Sequence, residues 1–299
     1  METKRAVVFG CHGQLGIELV TVFQQRGYQV TGFDRTQVDI GDSAQVEKAF
    51  AREDPGVVIN AAAYNQVDIA EKEPAPAMIA NGLAVRNLAM SCRQHDARFV
   101  HFSTDYVFDG TAGRAYTEED APRPLGAYAV SKLAGELYAQ AYLDRPLIIR
   151  TSGVFGPGGL KTARGNFIEL MLRLAANGQS IRVVNDHVAS PTYAPLLAAR
   201  SADLVDRGLT GIFHIGGGEP ISWFDYASMI FRIAGLDPEV KATTEREFRT
   251  AARRPKYSAL SNAKMERCGI EPFPPLETAV RMYMEARAEK NNLATDKLR

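Results

Sequence analysis

Neither sign of charge is in excess. The chain has 35 basic and 35 acidic side chains in 299 residues, a formal net charge of +0. With no basic surplus to draw a polyanion, neither nucleic acid nor an anionic membrane is an expected partner. Long apolar runs are missing too. None approaches the roughly 18 residues that a spanning helix needs. Cysteine is scarce: Cys11, Cys92 and Cys268 are odd in number and lack ligand-like spacing. This argues against a disulfide framework or a zinc site, so reduced thiols and no metal are expected. Tryptophan occurs once, at Trp223. The opening Met1-Glu-Thr-Lys-Arg-Ala6 has no signal-peptide pattern, and a cytoplasmic location is expected. Repeats and low-complexity segments are absent. The hydrophobic share of 45% and charged share of 23% are those of a globular protein large enough for one big core or two smaller ones.

What the chain does have is a β-α rhythm. A short apolar strand over residues 5–9 ends in Gly10-Cys11-His12-Gly13-Gln14-Leu15-Gly16, and a helical pattern follows to about residue 26. Glycines so placed allow a tight turn, close backbone approach to a phosphate, and close helix-on-strand packing. The helix start then offers free N–H groups to a pyrophosphate. A strand over residues 29–33 ends at Asp34-Arg35, about 20 residues beyond the glycine loop. An acid here holds the adenosine ribose, whereas an adjacent Arg accepts a 2′-phosphate. The two argue for different cofactors, and NAD versus NADP stays open. Asp39, before Ile40, reads either as an adenine contact or as a loop residue. A third strand, Val57-Val-Ile-Asn60, is apolar throughout, as in a parallel sheet covered on both faces. The small side chains of Ala61-Ala62-Ala63, before Tyr64, leave room for a ligand against the backbone. A helix is expected over residues 78–95, then a strand over residues 98–102. Ser103-Thr104-Asp105-Tyr106 stands at its carboxyl end, the edge where ligands bind in open parallel sheets. Thr104 suits a hydrogen bond to a substrate oxygen, or merely caps a turn.

Tyr128-Ala-Val-Ser-Lys132 opens a helical pattern reaching about residue 142. Residues four apart share a helix face, so phenol and ammonium point the same way. Free Tyr titrates near 10, and lowering that by about 3 units takes roughly 4 kcal/mol. One positive charge about 4 Å away supplies about that much at an effective dielectric of 20. A well-placed Lys can thus make Tyr a working general acid. Beyond a fifth strand over residues 146–151 the rhythm breaks in a glycine-rich stretch, 153–165. The pattern then gives a helix over 166–177, a strand over 181–184, a helix over 192–207, a strand over 211–215 and a helix over 222–234. A basic turn (252–258) and a last helix from near residue 275 follow.

Together these stretches resemble the extended short-chain dehydrogenase/reductases and, within them, the dTDP-4-dehydrorhamnose reductase family. The motifs that carry the resemblance are Gly13-Gln-Leu-Gly16, Asn60-Ala-Ala-Ala-Tyr64, Val67-Asp68, Ser103-Thr-Asp-Tyr-Val-Phe-Asp-Gly110, Tyr128 to Glu136, Asn166-Phe167, Ser190-Pro-Thr192 and Arg254-Pro-Lys-Tyr-Ser258. The resemblance implies an α/β fold: a Rossmann-like doubly wound parallel sheet with a smaller, split C-terminal α/β substrate domain. Residues 1–152 and about 187–216 would bind the dinucleotide and residues 153–186 and 217–289 the substrate, with 290–299 a frayed tail. It implies NAD(P)H-dependent reduction of the C4 keto group of a dTDP-linked 4-keto-6-deoxy sugar. Tyr128 would donate the proton, Lys132 would lower its pKa and hold the nicotinamide ribose, and Thr104 would position the carbonyl oxygen. The dinucleotide would lie on Gly10, Gly13, Gln14, Leu15, Gly16, Asp34, Arg35, Asp39, Ile40, Ala61, Ala62, Ala63, Tyr64, Ser103, Tyr128 and Lys132, with NADPH the expected cofactor and NADH still used. The nucleotide sugar would meet Thr104, Asp105, Tyr106, Tyr128, Gly153, Asn166 and Arg254. The protein would be a monomer or homodimer. The same motifs also fit a related nucleotide-sugar epimerase, dehydratase or reductase acting on another sugar. They fit, too, a non-catalytic subunit resembling the methionine adenosyltransferase β subunit.

One departure stands out. The family usually reads Arg-Thr-Ser-Trp after the fifth strand, and this chain reads Arg150-Thr-Ser-Gly153. Either Tyr106 or Phe155, the nearest aromatics in sequence, fills the space or the pocket is larger. On the second view the rhamnose precursor is a poor substrate, and Gly153→Trp improves it.

Overall fold

A computed structural model describes residues 4–162 and 165–296. Its strands are β1 (Arg5–Phe9), β2 (Gln29–Phe33), β3 (Val57–Asn60), β4 (Arg98–Thr104), β5 (Leu147–Thr151), β6 (Ile181–Val184), β7 (Val188–Ala189), β8 (Gly211–His214), β9 (Ile221–Ser222) and β10 (Val240–Thr243). Its helices are α1 (Gln14–Gln25), α2 (Ser43–Glu53), α3 (Val67–Lys72), α4 (Pro74–Met78), α5 (Ala84–Gln94), α6 (Ala127–Tyr142), α7 (Phe167–Ala176), α8 (Ala194–Asp206), α9 (Trp223–Ala234), α10 (Ala263–Arg267) and α11 (Leu276–Asp296). A π-turn over Ile79–Leu83 joins α4 to α5. Of the expected frayed tail, residues 290–296 continue α11, and residues 297–299 lie outside the described residues.

Six parallel strands form one sheet in the order β2-β1-β3-β4-β5-β8, which is the expected Rossmann-like core. Successive side chains leave a strand on opposite faces. Ala6, Val8, Val57, Ile59, Val100, Phe102, Leu147 and Ile149 accordingly pack on Leu19 and Phe23 of α1 and on Leu197 and Leu204 of α8. Val7, Phe9, Val58, Phe99 and Ile148 meet α2 and α5 through Val46, Phe50, Val85 and Leu88. Each such aliphatic side chain contributes about 1.5–3 kcal/mol by leaving water. Asp42 starts α2 as expected, its Oδ1 accepting from the N–H groups of Ala44 and Gln45 at 2.9 and 3.2 Å.

The chain leaves β1 for β2 on one side and returns to β3 on the other, so the connections diverge above the β1/β3 boundary. Ligands bind at such a switch point, beyond the carboxyl ends of the strands. A second core gathers Ile168 and Met171 of α7, Ile181 and Val183 of β6, Tyr226 and Ile230 of α9, Val280 and Tyr283 of α11, and Phe155. The strand expected over residues 181–184 is present, but it pairs in parallel with β10, apart from the main sheet. β7 and β9 form a further antiparallel pair.

Candidate active site

The glycine loop is built as its spacing requires. Gly10 has φ +79°, a conformation open to glycine, and a Cβ there would come within 2.7 Å of Ala62 N. That close approach brings the loop after β1 against the loop after β3. A Cβ on Gly16 would collide with the Gly10 carbonyl, so only glycine lets α1 start this near β1. The backbone here cannot give way, and Gly16→Ala is expected to cost about 1–3 kcal/mol or more by overpacking. Thermal unfolding with and without the dinucleotide checks this: both stability and cofactor affinity should fall. Gly13 is the N-cap of α1, which leaves the N–H groups of Gln14, Leu15 and Gly16 without intrahelical partners. This bare backbone cradle fits a dinucleotide pyrophosphate.

The adenosine end is less open than expected. Asp34 Oδ1 accepts from Thr36 Oγ1 at 2.6 Å and Thr36 N at 2.8 Å, and its Oδ2 lies 2.9 Å from His12 Nδ1. The Thr36 hydroxyl first, with the backbone N–H groups and His12, holds the carboxyl below its usual range. Arg35 reaches into solvent at 88% exposure and lies 3.7 Å from Asp39 Oδ2. Asp39 Oδ1 accepts from Gly41 N at 2.9 Å, and Ile40 points into the core. Ile40 therefore offers a cofactor only its main chain. On the other side of the cleft, Asn60 Oδ1 accepts from Ala62 N at 3.1 Å and fixes Ala61, Ala62 and Ala63. Asn60 Nδ2 meets His101 Nδ1 at 3.2 Å. Burial, then Lys132, holds the His101 pKa well below its ordinary value, so its ring is neutral and accepts.

The Tyr128 hydroxyl donates to Asn65 Oδ1 at 3.4 Å, a long bond, and its ring meets Tyr106 edge-on at 6.2 Å between centroids. Lys132 is buried and donates from Nζ to the Phe102 carbonyl at 2.6 Å. Burial pushes its pKa down to about 8, against the opposing pull of Glu136. Asn81, in the π-turn, pins the Tyr64 loop: its Oδ1 accepts from Tyr64 N at 2.8 Å and its Nδ2 donates to Tyr64 O at 3.0 Å. The same Nδ2 reaches Ser131 Oγ, which donates to the Tyr128 carbonyl at 2.7 Å. One helical turn past Lys132, Glu136 is 0% exposed and paired with Arg150 of β5, which is 1% exposed, at 2.6 Å. Ser103 donates its hydroxyl to that same carboxylate at 2.5 Å. The Ser103 side chain, expected at the cofactor, is thus turned into the core.

Thr104 Oγ1 accepts from Tyr106 N at 3.2 Å and donates to Asp105 Oδ1 at 3.1 Å. Thr104 thus caps the turn, one of its two sequence readings, at the carboxyl end of β4. Asp105, expected to touch substrate, is 3% exposed. Its Oδ2 accepts from Ser258 Oγ at 2.5 Å and Ser152 Oγ at 2.8 Å. Burial pushes its pKa up to about 6 against the pull of these hydroxyls. Asp105 clamps β4, β5 and the 254–258 segment together and can reach a ligand only through Thr104.

Three further expectations change. The Arg254 guanidinium pairs with Asp68, Nη2 to Oδ2 at 2.7 Å and Nη1 to Oδ1 at 3.2 Å, and is not free in the crevice. The Asn166 side chain faces the glycine loop. Its Nδ2 donates to Gln14 Oε1 at 3.1 Å and Tyr283 Oη at 3.3 Å, while its Oδ1 caps α7 at Glu169 N. At Gly153 neither Tyr106 nor Phe155 fills the space. Phe155 lies in the second core, and Tyr106 sits against Tyr128. A Cβ on Gly153 would instead meet Pro191 Cα at 3.3 Å and Trp223 Cη2 at 3.4 Å. The sequence reading did not place Glu136, Arg150, Ser152 or Trp223 at the site. Of the missed residues only Glu136 had a local signal, the same four-residue step that joins Tyr128 to Lys132.

The chain is similar to known proteins over nearly its whole length. The family model described as the RmlD substrate binding domain matches residues 4–288. A dTDP-4-dehydrorhamnose reductase of Streptomyces griseus is 39% identical over 276 residues, which cover 90% of this chain and 89% of that protein. The spore coat polysaccharide biosynthesis protein SpsK of Bacillus subtilis is 36% identical over 284 residues, 95% of this chain and 98% of that one. A crystal structure of dTDP-4-dehydrorhamnose reductase from Bacillus anthracis in complex with NADP superposes with a TM-score of 0.89 at 33% identity, covering 94% of this chain and 99% of that one.

Proposed function

This chain belongs to the dTDP-4-dehydrorhamnose reductase family, through its RmlD substrate binding domain, and from that premise we propose that it reduces the C4 keto group of a dTDP-linked 4-keto-6-deoxy sugar. The observation that carries the reading is the placement of Tyr128 and Lys132 on one face of α6, with Lys132 bonded to the Phe102 carbonyl of the very strand that ends in Thr104. Residues 1–152 and 187–216 would serve the dinucleotide, and residues 153–186 and 217–289 the sugar.

The bare glycine cradle at Gly10, Gly13 and Gly16, with Ala61 to Ala63 opposite, would hold a reduced nicotinamide dinucleotide, which supplies the hydride. The chain's own residues do the rest. Tyr128 releases its weak bond to Asn65 and gives its proton to the carbonyl oxygen. The Lys132 ammonium, held in a dry site, stabilises the phenolate that remains. Thr104, fixed from behind by Asp105, orients the carbonyl oxygen, and such positioning lowers a barrier by several kcal/mol. Arg254 suits the sugar-nucleotide diphosphate, because a guanidinium meets phosphate oxygens in pairs. In taking that role it shares or gives up Asp68.

NADPH is the proposed preference, with NADH also used. Arg35 is exposed and held by one loose ion pair, so it can turn to a 2′-phosphate at little cost. Arg35→Ala is expected to raise the Michaelis constant for NADPH about 10-fold, the worth of one charge-assisted hydrogen bond. NADH should change little. Equal losses for both would mean that Arg35 never reaches the 2′-phosphate. The reading as a whole is tested by screening dTDP-, UDP- and GDP-linked 4-keto-6-deoxy sugars for substrate-dependent oxidation of the reduced cofactor. Fastest turnover on a dTDP sugar supports it, and inactivity on every one overturns it.

A further inference from the structure

Gly153 lies two residues beyond Thr151, which pairs with Thr104 across β4 and β5. Between them, Ser152 is bonded to Asp105 at 2.8 Å. Gly153 therefore stands at the ligand-binding edge of the sheet, beside Thr104. Its φ of +48° is left-handed, and the space where its side chain would project is closed by Pro191 and by the far end of the Trp223 indole.

The indole is brought there by long-range pairing. β7 pairs with β9, and β9 hands the chain to α9, whose first residue is Trp223. Ser222 caps the helix, accepting from Asp225 N at 3.0 Å. Trp223 N donates to the His187 carbonyl at 3.2 Å. Phe167 meets the indole edge-on at 4.7 Å and Tyr226 lies 6.1 Å away, so the ring is braced from behind. It is nonetheless only partly buried. A large, rigid apolar surface is thus held at the edge where the sugar ring must sit if Tyr128 and Thr104 are to meet its C4 oxygen.

We infer that Trp223 is a specificity-determining residue of the sugar subsite, forming its apolar wall across Gly153 and favouring a sugar whose C6 is a methyl group over one with a 6-hydroxyl. The inference rests on the proposed reduction of a dTDP-linked 4-keto-6-deoxy sugar. An indole stabilises a methyl group by contact and desolvates a hydroxyl without a partner for it. The glycine is part of the device, because its φ of +48° strains any other residue, a Cβ would already lie 3.4 Å from the indole, and a larger side chain there would push the indole away. Gly153→Trp is then expected to impair the enzyme.

Trp223 is the chain's single Trp, so its fluorescence reports on this wall alone. The experiment titrates the full-length protein with dTDP and with a dTDP-linked 6-deoxyhexose. It then compares wild type, Trp223→Phe and Trp223→Ala in steady-state reduction. The expected emission change comes with the sugar nucleotide and not with dTDP. The expected kinetics are a Michaelis constant for the keto sugar raised about 10-fold or more in Trp223→Ala, and less in Trp223→Phe. Inhibition by dTDP and the cofactor's Michaelis constant should stay within about twofold, and the preference for 6-deoxy over 6-hydroxy sugars should shrink. Trp223→Phe keeps an aromatic ring against Phe167, so it covers the case in which the Ala variant fails to fold. If wild type turns over the keto sugar while both variants keep its Michaelis constant and sugar preference, the wall assignment is overturned and the reductase reading stands. An emission change with dTDP equal to that with the sugar nucleotide likewise overturns the assignment. No turnover of any dTDP sugar by wild type overturns both.

Discussion

Tyr128→Phe is expected to lower turnover by roughly 100-fold or more, the scale of lost general acid catalysis, while fold and cofactor binding persist. The phenol donates to Asn65 Oδ1 at 3.4 Å, a long bond whose loss costs the fold little. The ring keeps its contact with Tyr106. The variant therefore separates chemistry from structure. Lys132→Met is the useful companion. It removes the ammonium that shares a face of α6 with the phenol, the group proposed both to stabilise the phenolate and to hold the nicotinamide ribose, so turnover and cofactor affinity should fall together. Steady-state kinetics with a cofactor-binding titration distinguish the two patterns.

The largest effect on stability is expected one helical turn further along α6. Glu136 receives two guanidinium nitrogens of Arg150 at 2.6 and 2.9 Å and the Ser103 hydroxyl at 2.5 Å. Arg150 also lies over the Phe108 ring, 5.2 Å from its centroid. Both partners are inaccessible to water. Removing one charge of such a pair strands the other and costs about 3–5 kcal/mol. Glu136→Gln should therefore destabilise strongly in urea unfolding, through the midpoint and not the slope. Because the pair sits directly behind Ser103, the step before Thr104, surviving protein should also lose turnover. The double variant Glu136→Gln, Arg150→Met, which leaves no bare charge, should recover part of the stability. A single variant as stable as wild type would mean that water or another group reaches Arg150.

The central sheet and the glycine loop were legible in the sequence because their causes are local. Apolar runs of four or five residues, glycines at close approaches and a four-residue step on a helix need no knowledge of distant contacts. The strand ends at Phe9, Asn60 and Thr104 put Gly10, Ala62 and Asp105 where the chain's own order says they belong. The remainder depends on residues far apart. Asp105 is held by Ser152 and Ser258, and Arg254 by Asp68, 186 residues away in the sequence. β7 and β9 are two residues each, too short for any period, and Val240-Lys-Ala-Thr243 is too polar to stand out as the parallel partner of β6. The residue beside Gly153 was missed for the same reason. Sequence proximity favoured Tyr106 or Phe155, whereas Trp223 arrives through a β pairing seventy residues further on.

The most direct test of the account is oxidation of NADPH by wild type and Tyr128→Phe, side by side, with and without a dTDP-linked 4-keto-6-deoxy sugar. The account predicts oxidation that requires the sugar in wild type and is roughly 100-fold slower in the variant, at unchanged cofactor affinity. Oxidation at the same rate in both proteins, or none with the sugar present, would contradict it.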